Sequence, residues 1–169
     1  MYIWEQKVKW QNIVNINDVK YTEWSMNEKY RGKSAEIAKD MGAEKLGFHV
    51  EILEPKSYSC PYHFHHLEEE LLIAFEGHAT LRQNNELTEI KPGDIIHFKP
   101  GPEAAHQVYN HTDQPFKFFA LSTMDYSEVC EYPDSKKIFV SRLKKVFQQG
   151  KDVPYLTDEE NPEKYWPTK

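Results

Sequence analysis

From Leu46 to Thr123 the apolar residues come in short runs, each closed by a turn-forming group before helical periodicity can build up. "LGFHVEIL" alternates and stops at Pro55. "ELLIAFEG" is a continuous apolar run that stops at Gly77. "HATLRQ" and "LTEI" flank "NNE", a hairpin composition in which asparagine reaches positive φ. "PGD" makes a further turn, and "IIHF", "HQVYN" and "FKFFALST" follow, separated by "KPGPEA" and "HTDQ". Short strands at this even spacing predict an all-β sandwich or barrel. No long helical pattern alternates with them, which argues against a parallel α/β sheet, and no repeat of fixed period is present.

The flanks are less regular. "WQNIVNINDV" reads as a short strand and a turn, while "KSAEIAKDMGAEK" is open between a helix interrupted at Gly42 and a hairpin turning at "DMGA". After about residue 124 the strand pattern weakens. "SKKIFVSRLKKVFQQG" holds one strand or two, and "YLTDEENPEKYWPTK" reads as an extended tail whose Tyr165 and Trp166 pack against the barrel or a dimer partner. The expected organisation is a single domain: an N-terminal extension over 1–45, a core over 46–125, and a C-terminal strand and tail over 126–169.

The chain has 169 residues, enough for one domain with its own core. A net charge of −6 and the absence of a lysine- or arginine-rich run argue against a nucleic-acid partner. The longest apolar stretch, Leu71–Phe75, is too short to cross a bilayer, and "MYIWEQKVKW" lacks the apolar segment of a signal peptide, so a cytoplasmic protein without a membrane partner is expected. Cys60 and Cys130 are the two cysteines, neither in a CxxC pair, and both are expected to be free thiols.

Residues 61–77, "PYHFHHLEEELLIAFEG", carry three of the eight histidines within four positions, followed at once by three glutamates. Side chains two apart on a strand share a face, so His63 and His65 point together and His66 away. A carboxylate at the start of "ELLIAFEG" can swing back to the same place, and "AAHQVYN" supplies His106 from a later strand. Imidazole with carboxylate suits iron, manganese, zinc, nickel or copper.

His63, His65, Glu70 and Gly77 fit the first motif of the cupin superfamily: His-x-His, three or four residues, Glu, six residues, Gly. Gly93, Gly101, His106 and Asn110 resemble the second motif, with two departures: Lys99 stands where a proline is expected, and four residues instead of two separate Gly101 from His106. The stretches "SCPYHFHHLEEE", "GDIIHF" and "VCEYPDSKK" look most like small bacterial single-domain cupins, most of which carry no assigned reaction. The resemblance implies a double-stranded β-helix, the jelly-roll cupin barrel. It implies one divalent transition metal ion held by His63, His65, Glu70 and His106, and a small-molecule ligand in the barrel. It also implies a homodimer.

Glu68 and Glu69 read as solvated or as standing behind the ligands, and His66 as a surface residue. His49, His78, His97 and His111 read first as ordinary polar residues; His97 on "IIHF" could also point inward. Tyr62, Arg82, His97, Phe98 and Phe119 are candidate pocket-lining residues, Arg82 for an anionic substrate. Cys60 reads as packing. The expected function is a metal-binding protein acting on a small organic molecule, dioxygenase-like or isomerase-like; the alternative is a non-catalytic binding or sensing module.

Overall fold

The computed structural model describes residues 13–84, 86–150, 152–154 and 157. Tyr165 and Trp166, and the first residues of "WQNIVNINDV", lie outside them; Ile13–Lys20 form no strand. The chain opens with a hairpin of β1 (Thr22–Asn27) and β2 (Tyr30–Ala35), a single helical turn α1 (Ile37–Asp40) and the long strand β3 (Leu46–Leu53). After the short β4 (Phe64–His65) come β5 (Glu70–Glu76), β6 (Ala79–Gln83), β7 (Glu86–Ile90), β8 (Ile95–Phe98), β9 (His106–Tyr109) and β10 (Phe116–Thr123). β11 (Val129–Tyr132), β12 (Lys137–Val140) and β13 (Lys145–Gln148) follow. The boundaries of β3 and of the strands from β5 to β10 fall on the runs read from the sequence.

Three antiparallel sheets result, in the orders β1-β2-β3-β10-β5-β8, β7-β6-β9 and β13-β12-β11-β4. Together they make the all-β, double-stranded β-helix expected. "SKKIFVSRLKKVFQQG" supplies two strands, β12 and β13. In "KSAEIAKDMGAEK" the chain leaves β2, makes the one turn of α1 and bends at Gly42, with φ of 69°. The hairpin sits earlier, where Asn27 pairs with Tyr30.

The middle of the central sheet, β3 and β10, is covered on both faces. On its inner face Leu53, Leu72, Phe98, Phe116 and Phe118 form the main core with Leu81 and Val108 of the smaller sheet. On its outer face Ala35, Ile37 and Val50 pack with Ile16, Val19, Tyr21, Met41, Phe48 and Phe119, so the N-terminal extension is a second apolar layer. Each such side chain contributes roughly 1.5–3 kcal/mol when fully buried.

Two turns fix the site. Gly77 has φ of 76°, and a Cβ there would lie 2.3 Å from the Pro115 carbonyl oxygen, so the end of β5 can pass β10 only as glycine. The two extra residues between Gly101 and His106 are absorbed by a 3₁₀ turn at Pro102–Ala104, and the Gly101 N–H donates to the His65 carbonyl at 2.8 Å. Among the described residues no helix is long and apolar enough to cross a membrane.

Candidate metal centre and its cavity

His63 and His106 are far apart in sequence but directly opposed in space. They form an antiparallel bridge in which each N–H donates to the other's carbonyl, at 3.1 and 2.8 Å. Such a pair puts both side chains on one face, and the imidazole centroids are 4.6 Å apart. His65, two residues after His63, has its ring centroid 5.1 Å from that of His63. Glu70 at the start of β5 reaches in from the central sheet. Its Oε2 lies 3.8 Å from His63 Nε2, 3.4 Å from His65 Nε2 and 3.3 Å from His106 Nε2. The structure thus brings together all four residues that the cupin resemblance singled out.

The protonation pattern suits a cation. Nδ1 of His63 lies 3.0 Å from the Pro61 carbonyl and Nδ1 of His106 lies 3.0 Å from the Ala104 carbonyl. A carbonyl only accepts, so each Nδ1 carries the proton and each Nε2 turns a lone pair toward Glu70. Glu70 Oε2 is buried and accepts no hydrogen bond. Lone pairs aimed at a buried carboxylate oxygen repel unless a positive charge sits among them, and one metal ion among these atoms resolves the conflict. Burial alone would raise the Glu70 carboxyl. The close approach of His65, with the charges of His65, His106 and His63, outweighs it and brings the group down to about 2. Burial, with the charge of His63, lowers His106 to about 4. The carboxylate is therefore ionised and His106 neutral near pH 7, as metal ligation requires; at His65 burial opposes protonation but Glu70 outweighs it and raises the imidazole, so a metal there must displace that proton.

Glu128, at 2% exposure, stands behind His65. Its Oε1 accepts from the His66 N–H, its Oε2 accepts from the Leu67 and Glu68 N–H groups, all at 2.9 Å, and Oε1 lies 3.3 Å from His65 Nδ1. It ties the turn after the histidine pair to β11, the strand beside β4. Glu68 is also buried; its Oε1 accepts the Asp125 N–H at 2.7 Å and its Oε2 lies 3.7 Å from His65 Nδ1. A single sequence carries no sign of this role for Glu128, because acidic residues there are ordinarily solvated.

His63, Glu70 and His106 open onto a cavity of about 260 Å³. His49 and Glu51 of β3 line its other side, with Phe118 and Ala120 of β10 between. No lysine or arginine lines it among the described residues. Cys60 also lines it, close to His63 Nδ1 at 3.5 Å, and burial pushes its thiol up to about 12, so it remains a protonated packing group.

None of the five pocket-lining candidates lines this cavity, and strand parity turns three of them away from it. On β6, Ala79 and Leu81 fill the core, so Arg82 points out and binds Asp134 with two hydrogen bonds of 2.6 and 3.0 Å. On β8, Ile96 and Phe98 pack inward, so His97 is exposed and paired with Glu69 at 2.9 Å. On β10, Phe118 takes the inner face, so Phe119 lies outside against Phe48. Tyr62 packs with Phe64 and Ala105, its ring under the Arg82 guanidinium at 3.9 Å, away from the cavity. Phe98 stands behind the centre, stacked on the His106 ring at 3.5 Å. His66 is a surface residue, paired with Glu131. The residues that sequence reasoning passed over are His49 and Glu51: alternation on "FHVEIL" points them to solvent, but the N-terminal layer takes the apolar face and leaves the polar one inside.

The family model for the cupin domain matches residues 49–122. No curated protein matches the sequence. Among solved structures, a candidate sugar phosphate isomerase from Acidithiobacillus ferrooxidans superposes with a TM-score of 0.76 at 22% identity, over 85% of this chain and 97% of that one. A sugar phosphate isomerase of the cupin superfamily from Silicibacter pomeroyi gives 0.72 at 20% identity over the same shares. A candidate oxalate decarboxylase from Thermotoga maritima gives 0.57 at 20% identity, over 67% of this chain and 99% of that one. Residues 49–122 thus form a domain that matches the cupin family model, on a β-helix fold shared with these neighbours.

Proposed function

We propose that the protein is a metal-dependent enzyme acting on a small, oxygen-bearing organic molecule in the cavity. His63, His65, Glu70 and His106 are its metal ligands. The observation that carries this reading is the buried, unbonded Glu70 Oε2 ringed by three imidazole nitrogens. Iron, zinc, manganese and nickel all suit this donor set, and such an ion polarises a bound carbonyl or hydroxyl oxygen as a Lewis acid. The remaining work falls to the chain's own residues. The Pro61 and Ala104 carbonyls orient His63 and His106, Glu128 anchors the turn that carries His65, and Phe118 and Ala120 shape the cavity.

Of the reactions open to such a centre, an isomerase-like one is supported by the names of two of the structural neighbours. The phosphate in those names does not carry over. A phosphate dianion inside this cavity meets the Glu51 and Glu70 carboxylates and no lysine or arginine among the described residues. An uncharged substrate fits better.

Elemental analysis of protein purified without an affinity metal tests the centre. Near one equivalent of a transition metal is expected. In His106→Ala, affinity for that metal should fall by more than about 100-fold, beyond the loss typical of residues that merely orient ligands. Stoichiometric metal in that variant overturns the ligand set.

A further inference from the structure

His49 and Glu51 face the candidate metal centre across the cavity, and ligation leaves them unused. Both lie on the inner face of β3, because Val50 between them is fully buried in the outer apolar layer. His49 Nε2 is 3.3 Å from Glu51 Oε2. The other oxygen, Oε1, is buried and has no partner, in a residue only 9% exposed. Register places Ala120 beside His49, and Leu72 beyond it on β5, two residues after Glu70. The small Ala120 side chain keeps the space between the pair and Glu70 open. A buried carboxylate oxygen without a donor weakens a core, so its presence at a cavity wall points to a group that arrives from outside.

We propose that Glu51 is the proton carrier of the reaction and His49 the residue that positions it, the substrate being an uncharged α-hydroxy aldehyde or ketone. Glu51 Oε1 takes the proton from the hydroxyl-bearing carbon beside the carbonyl. The C–H electron pair forms a carbon–carbon double bond, and the former carbonyl oxygen takes a proton from water. Glu51 then delivers its proton to the former carbonyl carbon, and the neighbouring hydroxyl releases its proton to water and becomes the new carbonyl. Aldose and ketose interconvert with no net oxidation. His49, through Oε2, leaves only Oε1 facing the substrate. Burial lowers the basicity of His49, but its bond to Glu51 and the charges of Glu51, Glu36 and Glu70 outweigh that and raise it.

The proposal rests on the metal-dependent reading above, and one experiment separates the two. The full chain, with its metal content measured, is incubated in D₂O with dihydroxyacetone, L-erythrulose and D-ribulose and followed by proton NMR. Deuterium should enter at the carbon beside the carbonyl of at least one probe. Glu51→Gln should slow this at least about 100-fold with metal content unchanged, and His49→Gln should lower kcat with little change in KM. Metal-free Glu51→Gln should melt within a few degrees of the metal-free parent. A large fall there makes the pair structural and overturns the proposal. Equal exchange in Glu51→Gln removes its role. Metal-loaded parent that exchanges none of the probes overturns the proposal but leaves the metal centre standing. Parent that binds no metal overturns both.

Discussion

Two sets of polar side chains face one cavity, and they arise differently. His63, His65, Glu70 and His106 come from three separate segments; a bridge and a carbonyl hold each of His63 and His106, and the buried Glu128 carboxylate stands 3.3 Å from His65. His49 and Glu51 come from one strand, have only each other, and leave one oxygen unpaired. On the proposed reading the first set holds an ion fixed. On the same reading the second, bonded only within itself, exchanges a proton with what enters. A metal centre needs geometry that repels without its ion, whereas a proton carrier needs one free, desolvated oxygen.

Filling the space between the sets should have the largest effect. Ala120→Leu lowers turnover of any cavity substrate by about 100-fold, the cost of misplacing a substrate by about 1 Å, and leaves metal content at the parent level. Equal loss of metal would show that the two sets are not independent.

Titration of the metal-free protein sharpens the contrast, with opposite signs. His106 is lowered to about 4, against roughly 6.5 when unfolded, so the unfolded chain takes up its proton first. Its contribution to stability is present above pH 6.5 and is lost as pH falls toward 4. His49 is raised, so its contribution is full below about pH 6.5 and is lost as pH climbs through its higher folded value. Melting curves from pH 4 to 9 check this. His106→Gln should flatten the acid side of the profile, and His49→Gln the alkaline side.

The smallest effect belongs outside the cavity. Arg82→Ala removes an exposed pair with Asp134 and a contact with Tyr62, and should cost about 1 kcal/mol in a urea titration, with metal content and turnover unchanged. A change in turnover would place Arg82 at the site after all.

The strands from Leu46 to Thr123 were legible because turn chemistry is local: Pro55, Gly77 and the "NNE" and "PGD" turns stop each run wherever the chain later packs. The cupin resemblance singled out the ligand set because its motif spacing is written along the chain. The hairpin at Asn27–Tyr30 was missed because neither central turn residue, Glu28 or Lys29, is a glycine or asparagine; the turn's asparagine is Asn27, whose Oδ1 accepts the Lys29 N–H at 2.8 Å.

Sequence alone therefore determined the short-strand architecture and, through the family likeness, which four donors meet. Tertiary structure alone decided which face of each strand is inside. Arg82, His97 and Phe119 face out, while His49 and Glu51 face in, because a strand's period of two offers both faces equally until a neighbouring layer covers one. For β3 and β10 that layer is the N-terminal extension, whose Ile16, Val19, Ile37 and Met41 claim the apolar face and leave the polar pair to the cavity.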